Sequence, residues 1–259
     1  MIAIPAGAYI AGSTRAERDR AYDDYLATAH ADTARAQHWF EREAPRHTAE
    51  LPAFRVDATP VTNAAYAEFV AATGTPPPAI TAAAWAAQHL AQDYDREVAR
   101  FVWPSATPPA GRGDHPVVLV THAEAAAYCA WRGGRRLPTA DEFEKAARGR
   151  AGRVYPWGDD YDAARLDSAV AGPRDTAPVG SFPAGASPYG VLDLAGDVFE
   201  WTATPFTADA SKFTVKGAAW DDFGGVGRGA ALHGRPATLR HAIVGFRCAA
   251  DGAADGAAR

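Results

Sequence analysis

Two carboxylates, Asp197 and Glu200, stand beside two large rings, Phe199 and Trp201, in the stretch Asp193-Leu-Ala-Gly-Asp-Val-Phe-Glu-Trp201. Carboxylates seldom lie next to bulky aromatics unless something neutralises them, because an unpaired buried charge is costly. Two partners meet that need: an arginine in a buried ion pair, or a calcium ion, which takes oxygen ligands. A second anchor, Gly245-Phe-Arg-Cys248, lies near the C-terminus. Its cysteine and Cys129 are the only two in the chain. Neither belongs to a C-x-x-C pair, which excludes a zinc ribbon or a thioredoxin-type redox motif. One long-range disulfide and two buried free thiols both suit cysteines so far apart.

These groups need a scaffold, and the composition provides for one. An apolar share of 47% with seven tryptophans is enough for a substantial core, whereas 24 glycines and 19 prolines require extensive loops. A net charge of -5 argues against a nucleic-acid or membrane-surface partner and leaves a small molecule or peptide as the expected ligand. The first residues lack a basic segment and are broken by Pro5 and Gly7, and no apolar run approaches a membrane span. The expected location is therefore cytoplasmic.

Along the chain, Ile2 to Ile10 reads as a strand ending at Gly12. Residues 14–44 turn rich in Ala, Arg, Asp and Glu, and Tyr22, Tyr25 and Leu26 recur at helical spacing. This predicts an inserted helical arm, a surface helix or lid, with His30 and His38 on one side of it. A second strand-like segment covers 45–56, and Thr62 or Asn63 caps a helix that buries Tyr66, Phe69 and Val70 and stops at Gly74. A proline-opened connection then runs to about His115, with one helix between Thr81 and Leu90. Thr121-His-Ala-Glu124 and Thr139-Ala-Asp-Glu142 each match a capping box and start two further helices. Tyr155-Pro-Trp-Gly-Asp159 is a turn, and short strands alternate with Gly and Pro loops thereafter. One domain over 1–251 is expected, with a disordered tail at 252–259.

Several phrases also occur in an order that marks a family. They are Pro5-Ala-Gly7, Pro60-Val-Thr-Asn63, Arg136-Leu-Pro-Thr139 with Glu142-Phe-Glu-Lys-Ala-Ala-Arg-Gly149, and Tyr155-Pro-Trp-Gly158. Pro188-Tyr-Gly-Val-Leu-Asp-Leu-Ala-Gly196, Asp197-Val-Phe-Glu-Trp201, Val215-Lys-Gly-Ala-Ala-Trp220 and Gly245-Phe-Arg247 follow. The chain resembles the formylglycine-generating enzyme, or sulfatase-modifying factor, family from Ile4 to Arg247, apart from 14–44 and 75–112. The resemblance implies an α+β, C-type lectin-like fold with few helices and short antiparallel strands. It also implies a structural disulfide between Cys129 and Cys248, and calcium sites that draw on Asp197, Glu200, Asp167 and Asp175.

What the resemblance implies for chemistry is narrower. Formylglycine-generating enzymes bind copper(I) through a C-x4-C pair, and the matching positions here are Gly224 and Gly229, which cannot ligate. The family's sulfoxide synthases take iron(II) from three histidines of a separate helical domain, for which 259 residues leave no room. Their substrate-binding Trp-Asp pair is replaced by Gly234-Arg235, whereas Arg240 matches an arginine near that pocket. The family's ligand surface falls between Trp220 and His241. Asp222, His233 and Arg240 are the expected catalytic groups there, with Trp220, Asp221, Arg228, Arg235 and His241 binding substrate. Alternatively, the arginines pair with the aspartates and hold the loop shut. His30 and His38 with one C-terminal histidine would form a single-domain iron site. Two functions are thus expected as alternatives: a diverged oxidoreductase, iron- or copper-dependent, acting on a small thiol, amine or peptide, or a lectin-like binding domain without chemistry.

Overall fold

A computed structural model describes residues 1–206 and 211–252, so the expected tail lies outside the described residues beyond Gly252. The first apolar run is two strands, because Pro5 has no amide to give to a ladder. Strand β1 (Ile2–Ile4) pairs antiparallel with β4 (Phe54–Val56), Ile2 opposite Val56, and β2 (Gly7–Ala11) pairs with β3 (His47–Leu51), Ala11 opposite His47. Strand β9 (Ala249–Asp251) adds to the free edge of β4, so both ends of the fold share one sheet.

The arm leaves and returns at neighbouring points. The Ser13 amide donates to Ala44 (2.9 Å) and the Arg46 amide to Ser13 (3.0 Å). Helix α1 (Arg15–Ala29) starts at a capping box in which Thr14 and Glu17 satisfy each other's amides, and α2 (Thr33–Ala36) is one turn. The expected stripe is corrected in one member: Ala21, Tyr22 and Tyr25 are buried, but Leu26 is 44% exposed. The arm is thus a surface helix with one face, Ala21, Tyr22 and Tyr25, packed against the core. Tyr22 lies 4.8 Å from Phe40, and both belong to the main core cluster.

Thr62, not Asn63, caps α3 (Asn63–Thr73), and Gly74 ends it at φ +71°, a left-handed turn suited to glycine. Helix α4 (Ala82–Ala86) and a π-helical turn (Tyr94–Val98) punctuate the proline-opened stretch. Both predicted capping boxes are present, at α5 (His122–Trp131) and α6 (Ala140–Arg148). Tyr128 of α5 stacks on Tyr66 of α3 at 5.5 Å.

The remaining sheet runs in the order β7 (His233–Pro236), β6 (Lys212–Lys216), β5 (Phe199–Pro205), β8 (Val244–Gly245); its last pair is parallel and the others are antiparallel. Trp201 at its centre is fully buried, with its indole donating to the Val120 carbonyl at 3.0 Å. A smaller cluster joins β1 and β4 to Phe143, Ala146 and Ala147 of α6. Cys129 and Cys248 form a disulfide that ties α5 to the final strand, so the free-thiol alternative falls. Among the described residues no helix is long and apolar enough to cross a membrane.

Candidate functional site

The segment that follows Trp220, residues of β7 and the residues just before β8 meet beneath the arm. They enclose a cavity of about 480 Å³. Asp221, Asp222, His233, Arg235 and His241 line it, bringing five of the eight predicted catalytic and substrate-binding residues together. The arm contributes Tyr25, Gln37 and Trp39, and the stretch after α4 contributes Leu90, Ala91 and Gln92. Nothing in the sequence pointed to these six, because their role depends on contacts made across the chain. The Gln92 amide, for instance, donates to Asp221 Oδ2 (3.1 Å) from 129 positions away.

Each polar group in the cavity has a definite state. Asp222 Oδ2 accepts the Ala219 amide at 2.9 Å, and burial followed by the neighbouring Asp221 pushes its pKa up to about 8. Asp222 is therefore mainly a proton donor at neutral pH. Asp221 is also raised by burial, and its Oδ1 has no partner among the described residues. Burial, then the charges of Arg235, Lys216 and Arg228, pushes His233 down to about 3, leaving a neutral imidazole with an unpartnered Nε2. Its ring lies edge-on to Phe199 (5.3 Å) and Trp39 (6.1 Å). His241 is likewise held neutral by burial, down to about 3, and its Nδ1 accepts the Ile243 amide at 3.2 Å, which places any ring proton on Nε2. Arg235 Nε is unpartnered, and burial lowers its pKa. A cavity lined by buried donors and acceptors that have no protein partner is suited to a polar small molecule.

Three predicted members lie elsewhere. Arg228 is buried in an ion pair with Glu43 of the arm, with a second contact at 3.1 Å. Arg240 is held by Glu124 (2.5 Å) and the Leu119 carbonyl (2.7 Å). Arginines do hold the loop, then, but through glutamates of other segments rather than through its own aspartates. Trp220 is buried against Phe101 at 6.2 Å, outside the cavity.

The proposed calcium ligands are divided. Glu200 is fully buried in a two-pronged pair with Arg247, 2.7 Å at each prong, which realises the ion-pair alternative. Asp175 is held by Arg112 (3.0 and 2.5 Å). Among the described residues Asp197 and Asp167 have no cationic partner; Asp197 Oδ1 accepts the Ala177 amide at 3.2 Å, and both oxygens of Asp167 are unpartnered. Burial first, then Asp175 and Asp193, raises Asp167 to about 7. Among the described residues no group of three or more His, Cys, Asp or Glu gathers to hold a metal.

The redox metals fail the same test. A Cβ at Gly229 would lie 2.4 Å from Arg148 Cγ, and one at Gly224 would lie 2.9 Å from the Asp24 carbonyl, so neither position has room for a thiolate. The cysteines that exist are joined to each other. The three-histidine iron set is corrected too. His30 and His38 lie beyond the end of α1, both in left-handed conformation and both exposed, whereas His233 and His241 sit in the cavity.

The sequence is 38% identical over 189 residues to a hercynine oxygenase of Mycolicibacterium smegmatis, covering 67% of this chain and 42% of that protein. It is 34% identical over 248 residues to a formylglycine-generating enzyme of Mycobacterium tuberculosis, covering 80% of this chain and 74% of the relative. PvdO from Pseudomonas aeruginosa has the same fold, with a TM-score of 0.70 at 21% identity over 96% of this chain and 93% of that one. This chain thus spans well under half the length of the hercynine oxygenase it matches. The sulfatase-modifying factor enzyme 1-like domain family matches residues 1–252. The chain belongs to that family, and within it is a diverged member that lacks the thiolate pair.

Proposed function

We propose that this protein is an oxidative enzyme acting on a small molecule held in the cavity beneath the arm. The observation that carries the reading is the gathering of Asp221, Asp222, His233, Arg235 and His241 around one enclosed space, with three of them keeping an unpartnered polar atom. Asp222 is the proton donor or, once ionised, the base, since a pKa near neutrality suits both directions of transfer. Neutral His233 lines the same space, its buried Nε2 without a protein partner among the described residues. Trp39 and Tyr25 of the arm form part of the wall of that space. The oxidative class draws support from the relatives named hercynine oxygenase and formylglycine-generating enzyme. No step is assigned to a metal, because the described residues do not assemble a ligand set for one.

A second reading, a ligand-binding domain without chemistry, draws on the two crowded glycines at the thiolate positions. One experiment separates them. The protein is reconstituted anaerobically with iron(II) and with copper(I) in separate samples, desalted, assayed for metal, and exposed to oxygen with candidate amines and thiols. Substrate-dependent oxygen uptake supports the enzyme, whether or not metal is retained. Calcium alone or no metal, with no uptake, leaves the binding domain.

A further inference from the structure

Next to the cavity lies a second, larger space, a groove of about 890 Å³ whose walls include Ile80, Ala84, Tyr94 and Val102. Gln88 and Arg240 line the groove, whereas Leu90, Ala91, Gln92 and His241 line the cavity. A strap, residues 88–92, therefore separates the two spaces where it crosses Arg240 and His241. Both of its ends are fixed. Trp85 of α4 belongs to the main core cluster, and Asp93 caps the π-helical turn by accepting the Arg96 amide at 3.0 Å. The strap itself is half-buried or exposed throughout and holds no Asp, Glu, Lys or Arg. Among the described residues the amides of Leu90, Ala91 and Gln92 make no backbone hydrogen bond. Two glutamine side chains hold it down. Gln88 clasps the Arg240 backbone, Nε2 donating to the carbonyl and Oε1 accepting the amide, each at 3.0 Å. Gln92 Nε2 donates to Asp221 Oδ2 at 3.1 Å, and the Gln92 carbonyl accepts the Trp85 indole at 2.9 Å. The arm, by contrast, is held by the buried pair of Arg228 and Glu43. A span held by a few side-chain hydrogen bonds opens more readily than one held by a buried ion pair.

We propose that residues 88–92 are a gate between the groove and the cavity, latched by Gln92 on Asp221, and that ligands enter from the groove. Lifting the strap joins the two spaces beside Arg240 and His241. Because Gln88 and Gln92 share one short span with both ends fixed, releasing the second loosens the hold of the first. The strap lies within 75–112, a stretch that carries none of the family's phrases, so the gate is a property of this chain rather than of its fold. The inference rests on the cavity being a ligand site, as proposed above, but not on its chemistry, so its test needs no substrate, metal or oxygen.

The Arg240 amide donates to Gln88 Oε1, so its hydrogen exchange reports on the strap. Followed by NMR in the full chain, its protection should be at least tenfold below that of Ser13 at the neck of the arm and Phe199 in the central sheet. It should also be insensitive to low urea, since local opening exposes little surface. Gln92→Leu keeps most of the bulk and removes the donor; it should lower Arg240 protection about tenfold further and leave Ser13 and Phe199 unchanged. Diethyl pyrocarbonate, which acylates neutral imidazole, reads passage into the cavity. In Gln92→Leu the modification of His241, 3% exposed, should quicken about tenfold, while exposed His30 and His38 keep their rates. His233, edge-on to Trp39 of the arm, should keep its rate too. An Arg240 amide that exchanges only with global unfolding would overturn the gate, and this wild-type result decides even if the variant misfolds. Faster Arg240 exchange with no gain at His241 would overturn it as well. So would a gain at His233 alone, which would make the arm the entrance. Substrate-dependent oxygen uptake would then still support the enzyme reading, so the two failures are distinguishable.

Discussion

The arm can cover the cavity only if it is fixed to the body, and the buried pair between Arg228 and Glu43 is the strongest candidate for that attachment. Their side chains are 2% and 1% exposed, Arg228 also donates to the Gly225 carbonyl at 2.9 Å, and its guanidinium lies 4.6 Å from the centre of the Phe40 ring. In Arg228→Met the methionine fills much of the volume but leaves the Glu43 carboxylate buried without its cation. Breaking such a pair from one side costs about 3–5 kcal/mol. At roughly 2–4 °C per kcal/mol for a chain of this size, Tm should fall by about 6–20 °C. Urea denaturation read by tryptophan fluorescence measures the loss, and limited proteolysis shows whether cleavage begins within the arm. Replacing both partners, Arg228→Met with Glu43→Leu, removes the orphaned charge, so about 2 kcal/mol or more of the loss should return. A single substitution costing less than about 1 kcal/mol, the range of an exposed pair, would refute the claim that this contact anchors the arm. So would a double variant whose loss equals the sum of the two singles.

Other outcomes follow from the same structure. Asp222, with its folded pKa raised to about 8, favours the folded state at acid pH, and that contribution is lost as pH rises toward and through 8. His233 and His241, depressed to about 3 from 6.5, act oppositely: their contribution is present above 6.5 and lost as pH falls toward 3. Denaturation measured from pH 4 to 9 should therefore show Asp222→Asn flattening the alkaline limb and His233→Gln flattening the acid limb; unchanged limbs would contradict the assigned protonation states. Cys129→Ala opens a link between residues 119 apart and should cost about 2–5 kcal/mol by chemical denaturation, with a matching loss in the native protein under reductant. Installing the missing thiols, Gly224→Cys with Gly229→Cys, should destabilise by about 1–3 kcal/mol through overpacking against Asp24 and Arg148, and copper(I) content after desalting should not rise.

Much of the scaffold was legible because its signals are local. A threonine three residues ahead of a glutamate announces a helix start wherever it occurs, and Thr121 and Thr139 both begin helices as their spacing predicts. The ordered phrases from Pro5 to Arg247 indicated the family, and Gly224 and Gly229 showed that the thiolate pair is absent. What the sequence left open were matters of distance between segments. It allowed Glu200 an arginine or a calcium, and the packing of β5 against the last turn before β9 gave it Arg247. It put all three arginines of the C-terminal segment on one ligand surface, Arg240 as catalytic and Arg228 and Arg235 as substrate-binding. The tertiary structure placed Arg228 against the arm and Arg240 against α5, leaving Arg235 in the cavity. The sequence made the arm a surface helix or lid, and the packing of its buried face brought Tyr25 and Trp39 to the wall of the site. Residue types and near spacing are written in one dimension and determine caps, turns and missing ligands. Which charge meets which partner, and which remains unpaired, depends on contacts such as those of Glu200 with Arg247, 47 positions apart, and of Glu43 with Arg228, 185 apart, and these exist only once the core has closed.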